Sequence, residues 1–205
     1  MSLTPILTDN AAQLATSFQQ IPEERRPLLE QLSTYIREKQ RANQPVKLVF
    51  ICTHNSRRSH MAQLWAQAAA SYYGFKDVQT YSGGTEATAF YPAAVKAIQE
   101  LGFEIEKEED SSNPKYKVVY ADDAPAVTVW SKMYDDWANP ATGFCAIMTC
   151  TDADGNCPFV EGADKRIAIP YQDPKASDGT AQQEQVYLER ASQIGREMLY
   201  AFSKV

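Results

Sequence analysis

The amino-acid sequence predicts an α/β fold in which a parallel sheet is covered by helices on both sides. The alternation of elements predicts the sheet, and the length and composition predict a chain with a packed core. Short runs of β-branched and apolar residues alternate with helical patterns after residue 45, and such alternation places the strands in parallel. The length of 205 residues is enough to bury a hydrophobic core without the support of disulfide bonds. The hydrophobic share of 44% and the charged share of 22% are those of an ordinary globular protein.

Residues 1–45 are predicted to form a helical extension ahead of a main domain at residues 46–205. A short helix is expected over about residues 9–20, and a second one begins after Pro22. The apolar face of the second helix consists of Leu28, Leu29, Leu32 and Ile36. This extension either packs on the main domain or serves as an arm for dimerisation.

The main domain begins with a buried strand at residues 46–51, because this run is apolar and rich in β-branched residues. A helix follows and ends at Gly74, then a strand, and then a helix between Pro92 and a glycine stop at Gly102. The acidic run at residues 104–110 is expected to be a solvated surface turn. The remaining elements are strands at residues 78–82, 126–130 and 146–149 and a last helix at residues 181–203.

Charge and composition exclude several classes of protein. The net charge of −6 disfavours general nucleic-acid binding, which needs a basic face. No apolar run approaches the ~20 residues of a membrane span, and the first residues lack the pattern of a secretory signal. We therefore expect a cytoplasmic protein without a membrane or nucleic-acid partner. Four cysteines are too few for a disulfide scaffold, so each is core filler, a metal ligand or a catalyst.

The turn between the first strand and its helix has the composition of an oxyanion site. Cys52 ends the strand, and an arginine and a serine stand just before the helix. Unpaired N–H groups at a helix N-terminus form a cradle for anions and stabilise a thiolate beside them. An arginine adds two parallel hydrogen bonds to a tetrahedral oxyanion. The alternative is a core cysteine followed by surface arginines. The expected oxyanion-binding residues are Thr53, His54, Asn55, Ser56, Arg57, Arg58 and Ser59.

Two further elements carry candidate chemistry. Cys150 and Cys157 flank a polar, turn-rich segment, and a short helix that unwinds there would let the two sulfurs meet for thiol–disulfide exchange. The alternatives are a zinc site, for which further ligands are scarce, and two inert cysteines. Asp173 precedes Pro174, which makes its loop rigid, and a carboxyl held there can act as a general acid.

These motifs resemble the low-molecular-weight protein tyrosine phosphatase superfamily, and most closely its thiol-coupled arsenate reductase branch. The run Ile51-Cys52-Thr53-x-Asn55-Ser56-x-Arg58-Ser59-x-Met61-Ala62 carries the first part of the resemblance. It implies that Cys52 is the nucleophile, that Arg58 holds the oxyanion and that Ser59 supports the thiolate. It also implies that Asn55 braces the loop and that Ser82 steadies this asparagine.

The second part of the resemblance is the run Cys150-Thr151-Asp152-Ala153-Asp154-Gly155-Asn156-Cys157-Pro158. Arsenate reductases that use thioredoxin carry this pattern. The resemblance implies that Cys150 and Cys157 relay oxidising equivalents, that Asp173 is the general acid, and that Cys145 belongs to the core. It further implies a three-layer, four-stranded phosphotyrosine protein phosphatase I-like fold. Thioredoxin or another dithiol is the implied reductant, and no tightly bound cofactor or metal is expected.

The sequence departs from the family pattern at several places. His54 stands where the family usually has glycine, whose backbone freedom the loop uses, and Arg57 replaces a second loop cysteine. His60 is expected on the helix surface. An insertion at residues 118–143 is either a lid or substrate platform, or packing, or a subunit contact.

Arsenate reduction through Cys52, Cys150 and Cys157 is therefore the first functional hypothesis. A phosphatase that uses Cys52, Arg58, Asp173 and water is the alternative. A non-enzymatic oxyanion binder is the third.

Overall fold

The computed structural model describes residues 2–156 and 159–205, and it contains two sheets and six α-helices within those residues. The helices are α1 (Pro5–Ala15), α2 (Arg26–Arg41), α3 (Arg58–Tyr72), α4 (Pro92–Glu100), α5 (Thr151–Asn156) and α6 (Gln183–Ser203). The strands are β1 (Val46–Cys52), β2 (Val78–Gly84), β3 (Glu104–Lys107), β4 (Tyr116–Val119), β5 (Val127–Val129), β6 (Phe144–Met148) and β7 (Ala163–Ala168).

The larger sheet is parallel and four-stranded, in the order β2-β1-β6-β7, which confirms the predicted fold class. Strand β1 is central and buried except at Lys47, because its apolar side chains face cores on both sides of the sheet. Its last residue, Cys52, is in register with Gly84 of β2. The carboxyl ends of the parallel strands thus place the loop after Cys52 at one edge of the sheet, where ligands bind in open α/β sheets.

The smaller sheet is antiparallel, in the order β3-β4-β5. The predicted strand at residues 126–130 exists as β5, but it belongs to this sheet rather than to the parallel one. The fourth parallel strand is β7. The sequence does not predict this strand, because its charged and half-exposed residues form no apolar run. The expected turn at residues 104–110 is wrong in its first half, since β3 occupies residues 104–107 while remaining largely exposed.

Helices of the main domain and of the first 45 residues cover the parallel sheet. Helix α3 is buried nearly all round and lies against α6, where Gly195 leaves room for the indole of Trp65. Helices α1 and α2 both pack against α6, and their fully buried apolar residues include Leu7, Leu29, Leu32 and Ile36. The first helix starts earlier than expected, at Pro5. Within the described residues, no helix combines the length and the apolar character that crossing a membrane requires.

Candidate active site

The loop from Cys52 to Arg58, called the anion loop below, joins β1 to α3. Its left-handed residue is Asn55, with φ of 44°, and not the adjacent His54. Asparagine tolerates this conformation better than most residues, so the loop turns without a glycine. Gly84 provides the space instead, because a Cβ there would lie 2.6 Å from the Thr53 carbonyl oxygen and 2.8 Å from the Asn55 nitrogen.

A chain of hydrogen bonds supports the sulfur of Cys52. The Ser59 hydroxyl lies 3.0 Å from Cys52 Sγ and accepts a hydrogen bond of 2.8 Å from Asn55 Nδ2. Because the serine oxygen already accepts from the amide, its own proton is free for the sulfur. The Ser59 hydroxyl is therefore placed to donate to the Cys52 sulfur when that sulfur acts as the nucleophile.

The insertion at residues 118–143 holds the other side of the Asn55 side chain. Asn55 Oδ1 accepts a hydrogen bond of 2.9 Å from the main-chain N–H of Lys132, and the Ser131 hydroxyl donates to the His54 carbonyl at 2.9 Å. The Lys132 carbonyl accepts from the N–H of Gly84, so this segment also lies along the end of β2. The insertion thus packs directly against the anion loop and holds its backbone from outside.

Ser82 lies beneath the loop but meets a different partner from the predicted one. Its hydroxyl is 3.2 Å from His60 Nδ1, while the amide of Asn55 is engaged by Ser59 and Lys132. The expectation that His60 lies on the helix surface is wrong, since this side chain is fully buried and stacks on Phe90. Burial, together with the charge of Lys132, lowers the pKa of His60 to about 3 and keeps the ring neutral.

Lys132 itself is a buried cation that the sequence analysis did not single out. The residue is 5% exposed, and its ammonium lies 4.5 Å from the centre of the Trp130 ring. Burial lowers the pKa of Lys132 to about 8. In the sequence, this lysine follows a tryptophan and a serine and precedes apolar residues. Such a pattern does not distinguish a buried lysine from an exposed one.

Arg58 and Asp173 face each other across the mouth of the anion loop. Arg58 Nη2 donates to Asp173 Oδ2 at 2.6 Å, and Nη1 donates to the Tyr171 carbonyl at 2.9 Å. Arg58 Nε is buried and has no partner among the described residues, which leaves a donor for an oxyanion. The other carboxylate oxygen of Asp173 accepts from the N–H of Lys175 and caps a short 3₁₀ helix, Pro174–Ser177. The predicted acid is therefore held in a defined orientation.

A small pocket joins the predicted residues. It is lined by Cys52, His54, Ser56, Arg57, Arg58 and Asp173. The imidazole of His54 stands at its rim, 3.4 Å from a carboxylate oxygen of Glu86. The structure thus brings the predicted nucleophile, arginine and acid together in one place.

The side chain of Arg57 is engaged by the protein. Its guanidinium donates to the Tyr187 hydroxyl at 2.5 Å and to Asp178 at 2.7 Å, and it lies 4.1 Å from the centre of the Tyr91 ring. Asp178 also accepts from Tyr187 at 2.6 Å. Arg57 therefore fixes one wall of the pocket and ties the anion loop to the segment after Asp173.

Cys150 is buried next to the anion loop, between β6 and α5. Its sulfur lies 3.6 Å from the Thr53 hydroxyl and accepts a hydrogen bond of 3.3 Å from the N–H of Ala153. Cys150 shares one small apolar cluster with Cys52. Cys157 lies outside the described residues.

Cys145 occupies the other face of β6, in the larger core, as predicted. Burial raises the pKa of its thiol well above the usual range. Among the described residues, no group of three or more His, Cys, Asp or Glu side chains is placed to hold a metal ion.

Known proteins are similar to this chain in sequence. Residues 47–117 match the family described as low molecular weight phosphotyrosine protein phosphatase. An arsenate reductase of Bacillus subtilis is 30% identical over 152 residues, which is 74% of this chain and 91% of that protein. Arsenate reductase 2 of Staphylococcus haemolyticus is 31% identical over 127 residues, which is 62% of this chain and 77% of that protein.

The fold is also similar to that of solved structures. The low molecular weight protein tyrosine phosphatase from T. tengcongensis superimposes with a TM-score of 0.53 and 20% identity. That similarity covers 78% of this chain and 99% of the phosphatase. Residues before β1 lie outside the family match.

Proposed function

The chain belongs to the low molecular weight phosphotyrosine protein phosphatase superfamily and lies close to its arsenate reductases, and from that premise we propose that it reduces arsenate to arsenite. It is a cysteine-dependent enzyme, and its site binds phosphate or a similar oxyanion. The observation that carries the proposal is the position of Cys150, whose sulfur lies 3.6 Å from the Thr53 hydroxyl of the anion loop. Hydrolysis of a phosphoester needs no second buried thiol there, whereas reduction of arsenate by a thiol relay within the protein does.

The first step uses the residues around Cys52. Arsenate binds to the N–H groups of the anion loop and to Arg58, whose Nε has no protein partner among the described residues. The Cys52 thiolate forms a sulfur–arsenic bond while one arsenic–oxygen bond breaks. Asp173, in its protonated form, gives its proton to the departing hydroxyl group of hydrogen arsenate, which leaves as water.

The second step transfers two electrons to arsenic. The Cys150 thiolate attacks the Cys52 sulfur and forms a disulfide with it. The electron pair of the sulfur–arsenic bond goes to arsenic, so arsenic(V) becomes arsenic(III) and arsenite leaves. The Cys157 thiolate then attacks the Cys150 sulfur and releases the Cys52 thiolate.

The relay ends with a Cys150–Cys157 disulfide, which an external dithiol reduces. The curated relatives are arsenate reductases, and their reaction implies a thiol reductant. We propose thioredoxin for this role. We also place the reaction in the cytoplasm, because the proposed relay needs reduced thiols and a reducing compartment keeps them reduced.

A phosphatase is the second candidate function. The pocket formed by Cys52, Arg58 and Asp173 is complete without any later cysteine. In that reaction, Cys52 takes a phosphoryl group, Asp173 protonates the leaving alcohol, and water hydrolyses the phosphocysteine.

The deciding experiment couples arsenate reduction to NADPH oxidation through thioredoxin and thioredoxin reductase. The wild type is compared with Cys150→Ser, Cys157→Ser and the matched control Cys145→Ala, which removes a thiol from the other face of β6. All four proteins are also assayed with p-nitrophenyl phosphate.

Arsenate-dependent oxidation that is lost in both serine variants and kept in the control supports the relay. If the wild type, with its thiols reduced, oxidises no NADPH but hydrolyses the aryl phosphate, the enzyme is the phosphatase. Equal loss of both activities in Cys150→Ser and Cys157→Ser counts against the relay.

A further inference from the structure

Arg25 connects the N-terminal helices to the loop that carries Asp173. Its Nε and Nη2 donate to the two carboxylate oxygens of Glu197 on α6, each at 2.7 Å. Its Nη1 donates to the carbonyl of Pro170 at 3.1 Å, and its guanidinium lies 5.0 Å from the centre of the Tyr171 ring. One side chain from before α2 therefore contacts both the last helix and the segment just ahead of the acid.

Two arginines hold successive carbonyls of this segment. Arg25 binds the carbonyl of Pro170, and Arg58 binds the carbonyl of Tyr171 and the carboxylate of Asp173. Arg58 comes from the anion loop and Arg25 from the N-terminal part of the chain. The position of Asp173 relative to Cys52 thus depends on both attachments.

The ion pair between Arg25 and Glu197 fixes the orientation of the Arg25 guanidinium. The Glu197 side chain is 1% exposed and that of Arg25 is 17% exposed, so both charges are largely removed from water. A buried pair gives little net stability, but a bidentate geometry fixes the guanidinium plane. Gln193 donates to the same carboxylate at 3.0 Å and holds Glu197 in place. The third donor of Arg25 is thereby directed at Pro170.

The docking of the N-terminal helices does not depend on Arg25 alone. The Ser33 hydroxyl of α2 donates to the Ala201 carbonyl at 2.7 Å, and Arg196 donates to Ser17 at 2.8 Å. The apolar residues of α2 are buried against the domain. The contact with Pro170 and Tyr171 is therefore separable from the packing of the extension.

We infer that Arg25 is a positioning residue for Asp173, and that residues 1–45 are a part of the catalytic unit that fixes the acid loop. The inference rests on the proposed role of Asp173 as general acid. Arg25 touches neither Cys52 nor the pocket, so it acts through Pro170 and Tyr171. Its loss should impair proton transfer and leave oxyanion binding intact.

The test compares the double variant Arg25→Met/Glu197→Gln with Ser33→Ala. The double change removes the link to Pro170 without leaving an unpaired buried charge, and the control removes one buried anchor of α2 that is remote from the loop. We expect kcat to fall about tenfold in the double variant while KM stays within about twofold, and the control to keep both values. Hydrogen exchange at the amides of residues 171–178 should become faster in the double variant only.

Arg25→Lys serves as a second variant that keeps Glu197 paired. A single ammonium cannot keep the bidentate pair and the Pro170 contact together, so we expect a smaller fall in kcat in the same direction. Unchanged kcat and unchanged exchange in both Arg25 variants would overturn the inference. A parallel fall of kcat in Ser33→Ala would also overturn it, because general loosening of the extension would then explain the effect.

Asp173→Asn separates this inference from the proposed function. Turnover is measured with arsenate, or with phenyl phosphate if the enzyme is the phosphatase, since both reactions need a proton from Asp173. If Asp173→Asn keeps full kcat, the assigned general acid is wrong. If Asp173→Asn loses kcat and the Arg25 variants do not, only the role of Arg25 is wrong.

Discussion

The main-chain N–H of Lys132 donates a 2.9 Å hydrogen bond to the side-chain carbonyl of Asn55, 77 positions earlier in the chain. Asn55 is the left-handed residue of the anion loop, and its amide nitrogen in turn donates to Ser59 beside Cys52. The insertion is therefore connected to the nucleophile through one side chain. Stability of the insertion and reactivity of Cys52 should change together.

Ser131→Ala tests this connection. The variant loses the hydroxyl that donates to the His54 carbonyl and accepts from the N–H of Thr88. We expect a loss of about 1–2 kcal/mol in the free energy of unfolding, and inhibition by inorganic phosphate about tenfold weaker because the loop amides are less well aligned. Thr128→Ala, an exposed change in the same insertion, is the control. Equal phosphate inhibition in wild type and Ser131→Ala would disprove the bracing role.

The anion loop could be predicted from the sequence because its chemistry is local. A buried strand, a turn with Cys52 and Arg58, and a helix follow one another directly, and short-range rules describe each of them. The partners of the site could not be predicted, since Lys132 reaches the anion loop, and Arg25 reaches the segment before Asp173, only through the tertiary fold. Neither residue carries a pattern that distinguishes it from a surface cation.

Two features of the structure differ from what the sequence predicts, and both differences have physical reasons. His60 was expected on a surface, but α3 has almost no solvent face, so a polar ring is enclosed with Ser82 and Phe90. Strand β7 was missed because half of its residues are charged, and it is recognisable only by its pairing with β6.

Lys132→Met should change how stability depends on pH. Burial lowers the pKa of Lys132 to about 8 from 10.5, so between these values the unfolded chain binds more protons than the folded one. Wild-type stability therefore gains about 3 kcal/mol from this residue as the pH rises from 8 to 10.5. The variant lacks that gain. Denaturant unfolding at a series of pH values checks this, and parallel curves for the two proteins would refute it.

His60→Asn should remove a source of acid sensitivity. The folded pKa of His60 is about 3, below its ordinary value of 6.5, so the unfolded state binds the extra proton between these values. Wild-type stability is lost as the pH falls through this window, by about 1.4 kcal/mol per unit from this residue. The variant should lose less stability than the wild type over the same pH range. Denaturant unfolding at a series of pH values between 3 and 6.5 checks this, and a wild-type slope in His60→Asn would refute it.

Asp173→Asn should discriminate between substrates by their leaving groups. If Asp173 protonates the leaving oxygen, phenyl phosphate, with its basic leaving group, should lose about a hundredfold in kcat, and p-nitrophenyl phosphate less than about tenfold. Any disturbance of Arg58, which pairs with Asp173 at 2.6 Å, affects both esters alike and cancels in their ratio. Asp178→Asn breaks the neighbouring pair with Arg57 and is the matched control, for which both esters should lose activity equally. An unchanged ratio in Asp173→Asn would assign the proton transfer to another group.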